Sequence, residues 1–384
     1  NARIFRRLMP LLVLSYVISF IDRTNIALAK SHIEVDLGIS AAAYGLGAGL
    51  FFLSYALLEV PSNLIMHRVG ARFWITRIMV TWGLLSAGMA FITGETSFYV
   101  MRVLLGAAEA GLFPGVMLYL TYWFGREERA RAIGYFLLGV CIANILSGPV
   151  GGALLQMDGF LGWHGWQWMF VIEGLPAVAL AWVVWKKLPD GPASAPWLTA
   201  AESREVLQRL QAEQDQQASA GQVGHSLRDC LRDRQIWLAI LVYFCHQISI
   251  YTVIFFLPGI IGTYGQLSPL QIGTLNSVPW IAAAIGAAWL PRFATHPQRC
   301  RRMLLAGRGT MAAGLLLAAL AGKASPALGL LGFSLTALMF FVVQSVVFLF
   351  PASRLAGAGL AGGIALVNTC GLVVGFIGPT VMGM

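Results

Sequence analysis

The chain contains 384 residues, of which 58% are hydrophobic and only 11% are charged, and its mean hydropathy is +0.72. Soluble globular domains carry roughly 25% charged residues, so this composition excludes the soluble class and predicts an all-α membrane protein. The net charge of +9 does not indicate a nucleic-acid partner, because the basic residues are concentrated in the segments between apolar stretches.

Eleven apolar stretches are long enough to cross a bilayer, which takes about 20 residues in a helix. Six of them precede the only long polar segment, and five follow it. We expect each stretch to form one transmembrane helix, in a plan of six plus six helices whose twelfth lies beyond this sequence. The stretches cover residues 8–29, 43–66, 73–93, 97–124, 131–157, 166–187, 236–263, 271–291, 303–322, 325–350 and 357–384.

The long polar segment at residues 189–235 divides the chain. Within it, Thr199 followed by Glu202 forms the capping-box pattern of a helix start. We therefore expect an N-terminal six-helix half at 1–188, a cytoplasmic linker with a surface helix at 189–235, and helices seven to eleven of a C-terminal half at 236–384.

The lysine and arginine residues predict the orientation of the spans. With the N-terminus in the cytoplasm, Lys30 and Lys323 are the basic residues left outside, so the loops obey the positive-inside rule. One miscounted span would invert every later loop, and the agreement therefore also supports the number of spans. We expect a multi-pass plasma-membrane protein whose N-terminus is cytoplasmic.

Spans five and eleven share a pattern of Asn, Gly-Pro and Gly, although the spacing between the Asn and the Gly-Pro differs. Such an echo is expected of two repeated halves, while Gly and Pro are also frequent in membrane helices in general. Parallel halves with the substrate near the midplane between them are typical of major facilitator transporters. The matching residues are Asn144, Gly148, Pro149 and Gly152 in span five and Asn368, Gly378, Pro379 and Gly383 in span eleven.

Charged side chains within two of the spans indicate a functional site. Asp22 and Arg23 lie in the first span, and Arg102 and Glu109 lie in the fourth. A charge near the bilayer centre costs roughly 2.5–3.5 kcal/mol on insertion scales, so such residues are usually kept for transport or proton transfer. Arg102 and Glu109 are seven residues apart, close to two helical turns, and therefore share one helix face. A buried structural ion pair is the alternative interpretation.

Five short motifs resemble those of the anion:cation symporter family within the major facilitator superfamily. The resemblance covers nearly the whole chain except the polar segment, and bacterial tartrate transporters are the most similar members. It implies a bacterial inner-membrane protein that imports an organic anion with protons, using one carboxylate in each of the first and fourth helices and a nearby arginine. The motifs are Asp22–Ala27, Glu59–Asn63, Arg68–Arg72, Glu109–Gly115 and Ile172–Pro176.

The resemblance assigns proton coupling to Asp22, Glu109 and Arg102. We expect Arg23 to bind a substrate carboxylate through a forked pair of hydrogen bonds. Further polar residues within spans are candidates for binding the substrate, and each could instead form hydrogen bonds between helices, which is the favoured interpretation for His246. These candidates are Tyr16, Tyr55, Asn144, His246, Gln247, Tyr251, Asn276 and Asn368.

The sequence has no metal-ligand spacing, no phosphate-binding loop and no Ser/His/Asp arrangement, which argues against a membrane enzyme. We expect a monomer without metal or cofactor that works among membrane lipids on a small organic anion and protons. Several alternatives stay open. The substrate could be an aromatic or sugar acid such as hydroxyphenylacetate, phthalate or a hexonate. The protein could exchange one anion for another, use sodium in place of protons, or only report a ligand.

Overall fold

A computed structural model of the chain describes residues 2–219, 232–290, 297–322, 324–344, 346–347, 367 and 369–375. These ranges are helical and contain no strand, in agreement with the predicted all-α class. The main helices are α1 (Ala2–Leu37), α2 (Ala41–Val69), α3 (Ala71–Gly88), α4 (Glu95–Glu109), α5 (Leu112–Thr121), α6 (Arg126–Leu155), α7 (Gly165–Lys187), α8 (Ala200–Ser219), α9 (Arg234–Gly262), α10 (Pro269–Trp289), α11 (Pro297–Ala321) and α12 (Pro326–Leu338).

Nine helical segments in the described ranges are long and apolar enough to cross a membrane. They correspond to the first seven predicted spans and to the ninth and tenth. The eighth predicted span, 271–291, is the helix α10, which is not among the nine and carries polar residues such as Gln271 and Asn276. Most of the eleventh, 357–384, lies outside the described residues, and so does the substrate candidate Asn368.

The described residues form two compact units. The first takes its residues from Asn1–Asp22, Leu50–Val140 and Phe170–Gln222, and the second takes them from Arg23–Gly49, Cys141–Met169 and Val223–Met384. Several helices contribute one part to each unit. The predicted halves at 1–188 and 236–384 rest on the repeat in the sequence and stay a prediction.

Glycines in the first unit allow helix backbones to approach closely. A Cβ atom at Gly83 of α3 would lie 2.9 Å from the carbonyl oxygen of Gly174 in α7. A Cβ atom at Gly106 of α4 would collide with the carbonyl oxygen of Phe51 and the hydroxyl of Ser54 in α2. Small residues at helix crossings are the usual means of close packing in membranes. They allow α3 to pack closely on α7 and α4 to pack closely on α2.

The fourth predicted span, 97–124, is not one continuous helix. Helix α4 ends at Glu109, Ala110 has an extended ψ of 127°, and Gly111 has a φ of +95°, which favours glycine. The Ser62 hydroxyl donates a hydrogen bond to the carbonyl oxygen of Ala110 at 2.7 Å. Irregular backbone is tolerated at membrane depth where it is buried and its polar groups are satisfied. The break therefore places Glu109 at the last position of α4.

The segment after α7 is attached to the first unit by hydrogen bonds and ring stacking. The backbone N–H of Arg72, at the start of α3, donates to the Asp190 carboxylate at 2.9 Å. The Tyr119 hydroxyl donates to the carbonyl oxygen of Pro189 at 2.7 Å. Trp197 stacks on Trp123, with ring centroids 5.6 Å apart. Residues 189–197 are therefore held by the helices that precede them in the chain.

Helix α8 follows this segment and begins as the capping-box pattern predicts. The backbone N–H of Thr199 donates to Glu202 at 2.8 Å, and the backbone N–H of Glu202 donates to the Thr199 hydroxyl at 3.2 Å. The Thr199 hydroxyl also donates to the Glu202 carboxylate at 3.1 Å, and the bonds from the backbone N–H and the hydroxyl of Thr199 hold the pKa of this carboxyl below its usual value. The exposed Arg3 guanidinium lies 3.4 Å from the same carboxylate.

In the second unit, α6 and α10 cross with their backbones in contact at Gly148 and Gly273. We expect Gly148→Ala to lower the thermal stability of the purified protein, because the added methyl group would collide with the carbonyl oxygen of Gly273. Overpacking of this kind costs typically 1–3 kcal/mol. The matched control is Gly134→Ala in the same helix, where a Cβ atom meets nothing within 4 Å. Equal melting temperatures for the two variants would contradict this account of the crossing.

Candidate functional site

Asp22 is buried in the first unit, with 2% of its surface exposed, and α3 supplies two partners for its carboxylate. The indole Nε1–H of Trp82 donates to Oδ2 at 2.8 Å. The hydroxyl of Ser86 is hydrogen-bonded to Oδ1. Trp82 and Ser86 are four residues apart on α3 and so lie on one helix face. One face of α3 is thus directed at one acidic side chain.

Glu109 is the second buried carboxylate of the first unit, with 1% of its surface exposed. The Ser19 hydroxyl donates a hydrogen bond to its Oε1. Ser19 precedes Asp22 by three residues on α1, so the two side chains lie on the same face of that helix. This face of α1 therefore carries both Asp22 and the hydrogen-bond partner of Glu109. The break after Glu109 brings this side chain to the end of α4.

Arg102 is also 1% exposed and lies on α4, two turns before Glu109. Its guanidinium carbon is 4.6 Å from the centre of the Phe51 ring, which is a cation–π distance. Arg102 and Glu109 both interact electrostatically with Asp22. The structure therefore brings the three predicted proton-coupling residues together, and we call Asp22, Arg102 and Glu109 the acid–arginine cluster.

The charges of the acid–arginine cluster do not balance when all three groups are ionised. Two carboxylates and one guanidinium sum to a net charge of −1. Burying an uncompensated charge costs several kcal/mol, whereas a neutral arrangement avoids most of that cost. A single proton shared by the two carboxyl groups makes the cluster neutral. The arrangement can therefore bind one proton and release it again.

Arg23 follows Asp22 along α1 but belongs to the second unit and is half-buried. Successive residues of a helix point about 100° apart, so Arg23 presents its side chain to a different side of α1 than Asp22 does. Asp22 is the candidate for proton binding and Arg23 is the candidate for anion binding. These neighbouring residues thus differ in burial.

The two tyrosine candidates of the first unit are both buried among aromatic rings. Tyr16 stacks on Phe136 with ring centroids 4.1 Å apart, which favours a packing role. Tyr55 lies one turn after Phe51 on α2, with ring centroids 6.1 Å apart. Because Phe51 also contacts Arg102, Tyr55 and the acid–arginine cluster share one aromatic neighbour.

The remaining described candidates lie buried in the second unit, and two amide groups stand out among them. Within the described part of the chain, the side-chain oxygens of Gln247 and Asn276 have no hydrogen-bond partner. A buried acceptor without a partner carries a desolvation penalty of about 1–3 kcal/mol, which a donor on a bound molecule would remove. The buried candidates of this unit are Asn144, His246, Gln247, Tyr251 and Asn276.

His246 is enclosed by aromatic rings. Its ring centroid is 6.1 Å from that of Tyr243 and 6.2 Å from that of Phe340. Trp280, one turn after Asn276 on α10, has its ring centroid 6.0 Å from the same Phe340 ring. Among the described residues, neither ring nitrogen of His246 has a hydrogen-bond partner, so the structure does not show the interhelical hydrogen bond that the sequence favours, and the role of His246 stays a prediction.

Four residues of the site are not among the sequence predictions. Ser19, Phe51, Trp82 and Ser86 complete the surroundings of the acid–arginine cluster. Serine, phenylalanine and tryptophan are uncharged and occur throughout membrane helices, so none stands out within an apolar span. The available signal is spacing, since Ser19 lies three residues before Asp22 and Ser86 lies four residues after Trp82.

Comparison with known proteins agrees with this architecture. Residues 12–379 match the family model of the Major Facilitator Superfamily. A protein of Agrobacterium vitis whose name provisionally assigns it to tartrate transport is 41% identical over 383 residues, which cover 99% of this chain and 87% of that protein. A quinolone resistance transporter of Acinetobacter baumannii is 40% identical over 381 residues, covering 98% of this chain and 86% of the relative.

Among solved structures, a partially occluded inward-open form of the xylose transporter XylE from E. coli resembles this chain with a TM-score of 0.78. The likeness covers 100% of this chain and 91% of that chain at 13% identity, and it concerns the fold alone. The expected resemblance to tartrate transporters is confirmed by the relatives. The chain belongs to the Major Facilitator Superfamily and is a multi-pass secondary transporter.

Proposed function

We propose that this transporter imports a small organic anion together with protons by alternating access, with a tartrate-like hydroxy-dicarboxylate as the favoured substrate. The observation that carries the proposal is the buried acid–arginine cluster, whose three charges sum to zero when one proton is bound. We place the protein in the bacterial inner membrane with a cytoplasmic N-terminus, on the basis of the positive-inside pattern.

In this mechanism Asp22 and Glu109 hold the transported proton, and Arg102 keeps the second carboxylate compensated. Proton binding removes the net charge, so the cluster can stay buried while the transporter changes conformation. Release of the proton restores the charge of −1, which is stable only where water can reach the cluster. Movement of the protonated form is therefore favoured over movement of the charged form.

The substrate anion is assigned to Arg23, which is half-buried and can bind a carboxylate by two parallel hydrogen bonds. Gln247 and Asn276, in the same unit, each offer an amide oxygen that accepts hydrogen bonds. A carboxylate has no hydrogen to donate to these oxygens, whereas a hydroxyl group has one. This favours tartrate or a hexonate over phthalate, which has no hydroxyl group.

The test is uptake of labelled L-tartrate into liposomes that contain the purified protein, with and without an inside-alkaline pH gradient. We expect accumulation above the outside concentration only with the gradient, and its loss when a protonophore is added. Competition by a hexonate, hydroxyphenylacetate and phthalate ranks the substrate classes. If uptake does not depend on the pH gradient but becomes faster when the liposomes contain unlabelled anion, the protein is an exchanger and the proposed symport is wrong.

We expect Arg23→Lys to raise the KM for the anion by roughly 10–100-fold while gradient-driven accumulation persists at saturating substrate. Lysine keeps the charge but loses the forked geometry, and a hydrogen bond to a charged group contributes about 1.5–3 kcal/mol. The control is Arg3→Lys, since Arg3 is exposed and pairs with Glu202 at the surface. An unchanged KM in Arg23→Lys would show that Arg23 does not bind the anion and that another residue does.

A further inference from the structure

Trp82 and Ser86 hold the two oxygen atoms of Asp22 in chemically different ways. An indole N–H can only donate a hydrogen bond, whereas a serine hydroxyl can donate or accept by rotating about its C–O bond. The indole of Trp82 faces Oδ2, and the hydroxyl of Ser86 faces Oδ1. Of these two partners of the carboxyl group, Trp82 is a fixed donor and Ser86 is adaptable.

This asymmetry decides where a proton can sit on Asp22. Oδ2 already receives the indole hydrogen, so its best lone pair is occupied in both protonation states. A hydrogen on Oδ1 points toward Ser86, whose hydroxyl then turns from donor to acceptor. The protonated and the ionised carboxyl group can thus occupy the same position without movement of α1 or α3.

We infer that Trp82 and Ser86 are positioning residues for proton coupling: they place the transported proton of Asp22 on Oδ1 and hold the carboxyl group in one orientation throughout the cycle. The inference rests on the proposed proton symport and extends it to two residues of α3.

The surroundings of α3 keep these two side chains in place. Trp82 and Ser86 are both fully buried. A Cβ atom at Gly174 of α7 would lie 3.1 Å from Cβ of Ser86, which shows how closely α7 packs on this part of α3. At the start of α3, Asp190 accepts the backbone N–H of Arg72. Arg102 and Glu109 of α4 are charged groups that act on Asp22, and neither belongs to α3.

Replacing Trp82 and replacing Ser86 should shift the pH midpoint of uptake by different amounts. The Trp82 donor stabilises the ionised carboxylate more than the neutral acid, because hydrogen bonds to charged acceptors are stronger. Trp82→Phe should therefore move the pH midpoint of uptake upward by about one unit, a roughly tenfold change in proton affinity. Ser86→Ala should shift the midpoint less, because the serine hydroxyl serves both protonation states.

Trp166→Phe is the matched control for Trp82→Phe. The indole of Trp166 donates to Oδ2 of Asp36 at 2.8 Å, the same bond length as at Trp82, and this tryptophan is also fully buried. Its acceptor carboxylate lies outside the acid–arginine cluster. The control therefore removes the same kind of bond and should leave the pH midpoint unchanged.

A second measurement reports the proton on Asp22 without requiring transport. Dicyclohexylcarbodiimide reacts with protonated carboxyl groups in apolar surroundings, and peptide mass mapping separates labelling at Asp22 from labelling at Glu109. We expect the pH midpoint of Asp22 labelling to rise by about one unit in Trp82→Phe and to stay unchanged in Trp166→Phe.

The outcomes separate this inference from the proposed function. Wild-type uptake that ignores the pH gradient would overturn symport, while the labelling midpoints would still test the role of Trp82. Gradient-driven uptake with unmoved midpoints in Trp82→Phe would overturn the positioning role alone. If Trp82→Phe does not fold, Ser86→Ala tests the inference in its place. A shift of the pH midpoint by a full unit in Ser86→Ala would contradict the assignment of the fixed donor to Trp82.

Discussion

Asp22→Asn is expected to abolish accumulation of the anion against its gradient while exchange of anion across the membrane continues. Asparagine has the shape of the protonated acid and can direct its oxygen to Trp82 and its amide hydrogens to Ser86. It cannot release a proton. The variant should therefore behave as a transporter whose cluster is permanently neutral.

The expected size of the effect follows from the gradient. A pH difference of two units can drive accumulation of up to about 100-fold for each coupled proton, because 1.4 kcal/mol corresponds to a factor of ten. In Asp22→Asn the internal concentration should stop at the external one. Counterflow measured in liposomes preloaded with unlabelled anion should stay within a few-fold of the wild-type rate.

Asp36→Asn is the control for this experiment. Asp36 is a carboxylate that accepts an indole hydrogen bond, from Trp166 at 2.8 Å, and it lies outside the acid–arginine cluster. Its replacement should leave accumulation intact. If Asp22→Asn still accumulates the anion at the wild-type level, the proton does not pass through Asp22, and Glu109→Gln becomes the variant to examine.

Arg102→Met is expected to destabilise the protein severely and to stop transport. Methionine has a similar length but removes a buried cation that acts on Asp22, and it also removes the cation–π contact with Phe51. Breaking a buried ion pair costs about 3–5 kcal/mol because a charge is left buried, and we expect a cost of the same order when a cation is removed from a buried group of interacting charges. The measurement is the melting temperature of the purified protein in detergent, followed by size-exclusion chromatography.

A double variant separates charge compensation from simple loss of packing. If the unpaired carboxylate causes the damage, adding Glu109→Gln to Arg102→Met should recover much of the stability without restoring transport. Arg209→Met is the surface control, because Arg209 pairs with Glu128 at 3.0 Å near solvent and such pairs contribute about 0–1 kcal/mol. Equal stability of the single and the double variant would show that charge balance does not govern the cluster.

The composition of the cluster could be predicted from the sequence because charge is rare in apolar spans. Asp22, Arg102 and Glu109 are conspicuous for that reason, and the seven-residue spacing placed Arg102 and Glu109 on one face of α4. The neutral partners could not be predicted. Trp82 is sixty positions from Asp22 in the chain, and the meeting of such distant neutral residues depends on the packing of α1 against α3.

The break between α4 and α5 also escaped prediction, and its physical reason is local. Hydropathy treats residues 97–124 as one apolar stretch because Ala110 and Gly111 are as compatible with lipid as their neighbours. The interruption depends on the φ of +95° at Gly111 and on the Ser62 hydroxyl that satisfies the Ala110 carbonyl. A contact from another helix therefore makes the break possible, and hydropathy contains no information about it.

The attachment of the segment after α7 bears on where this transporter can be cut, tagged or joined to a reporter. A fluorescent domain inserted between Pro189 and Trp197 would separate Asp190 from α3, the helix that carries Trp82 and Ser86. Signals from such a sensor would include damage to the proton site. An insertion after Ser219, where α8 ends, would leave the contacts of Pro189, Asp190 and Trp197 intact. Two fragments expressed separately should be divided at that same place.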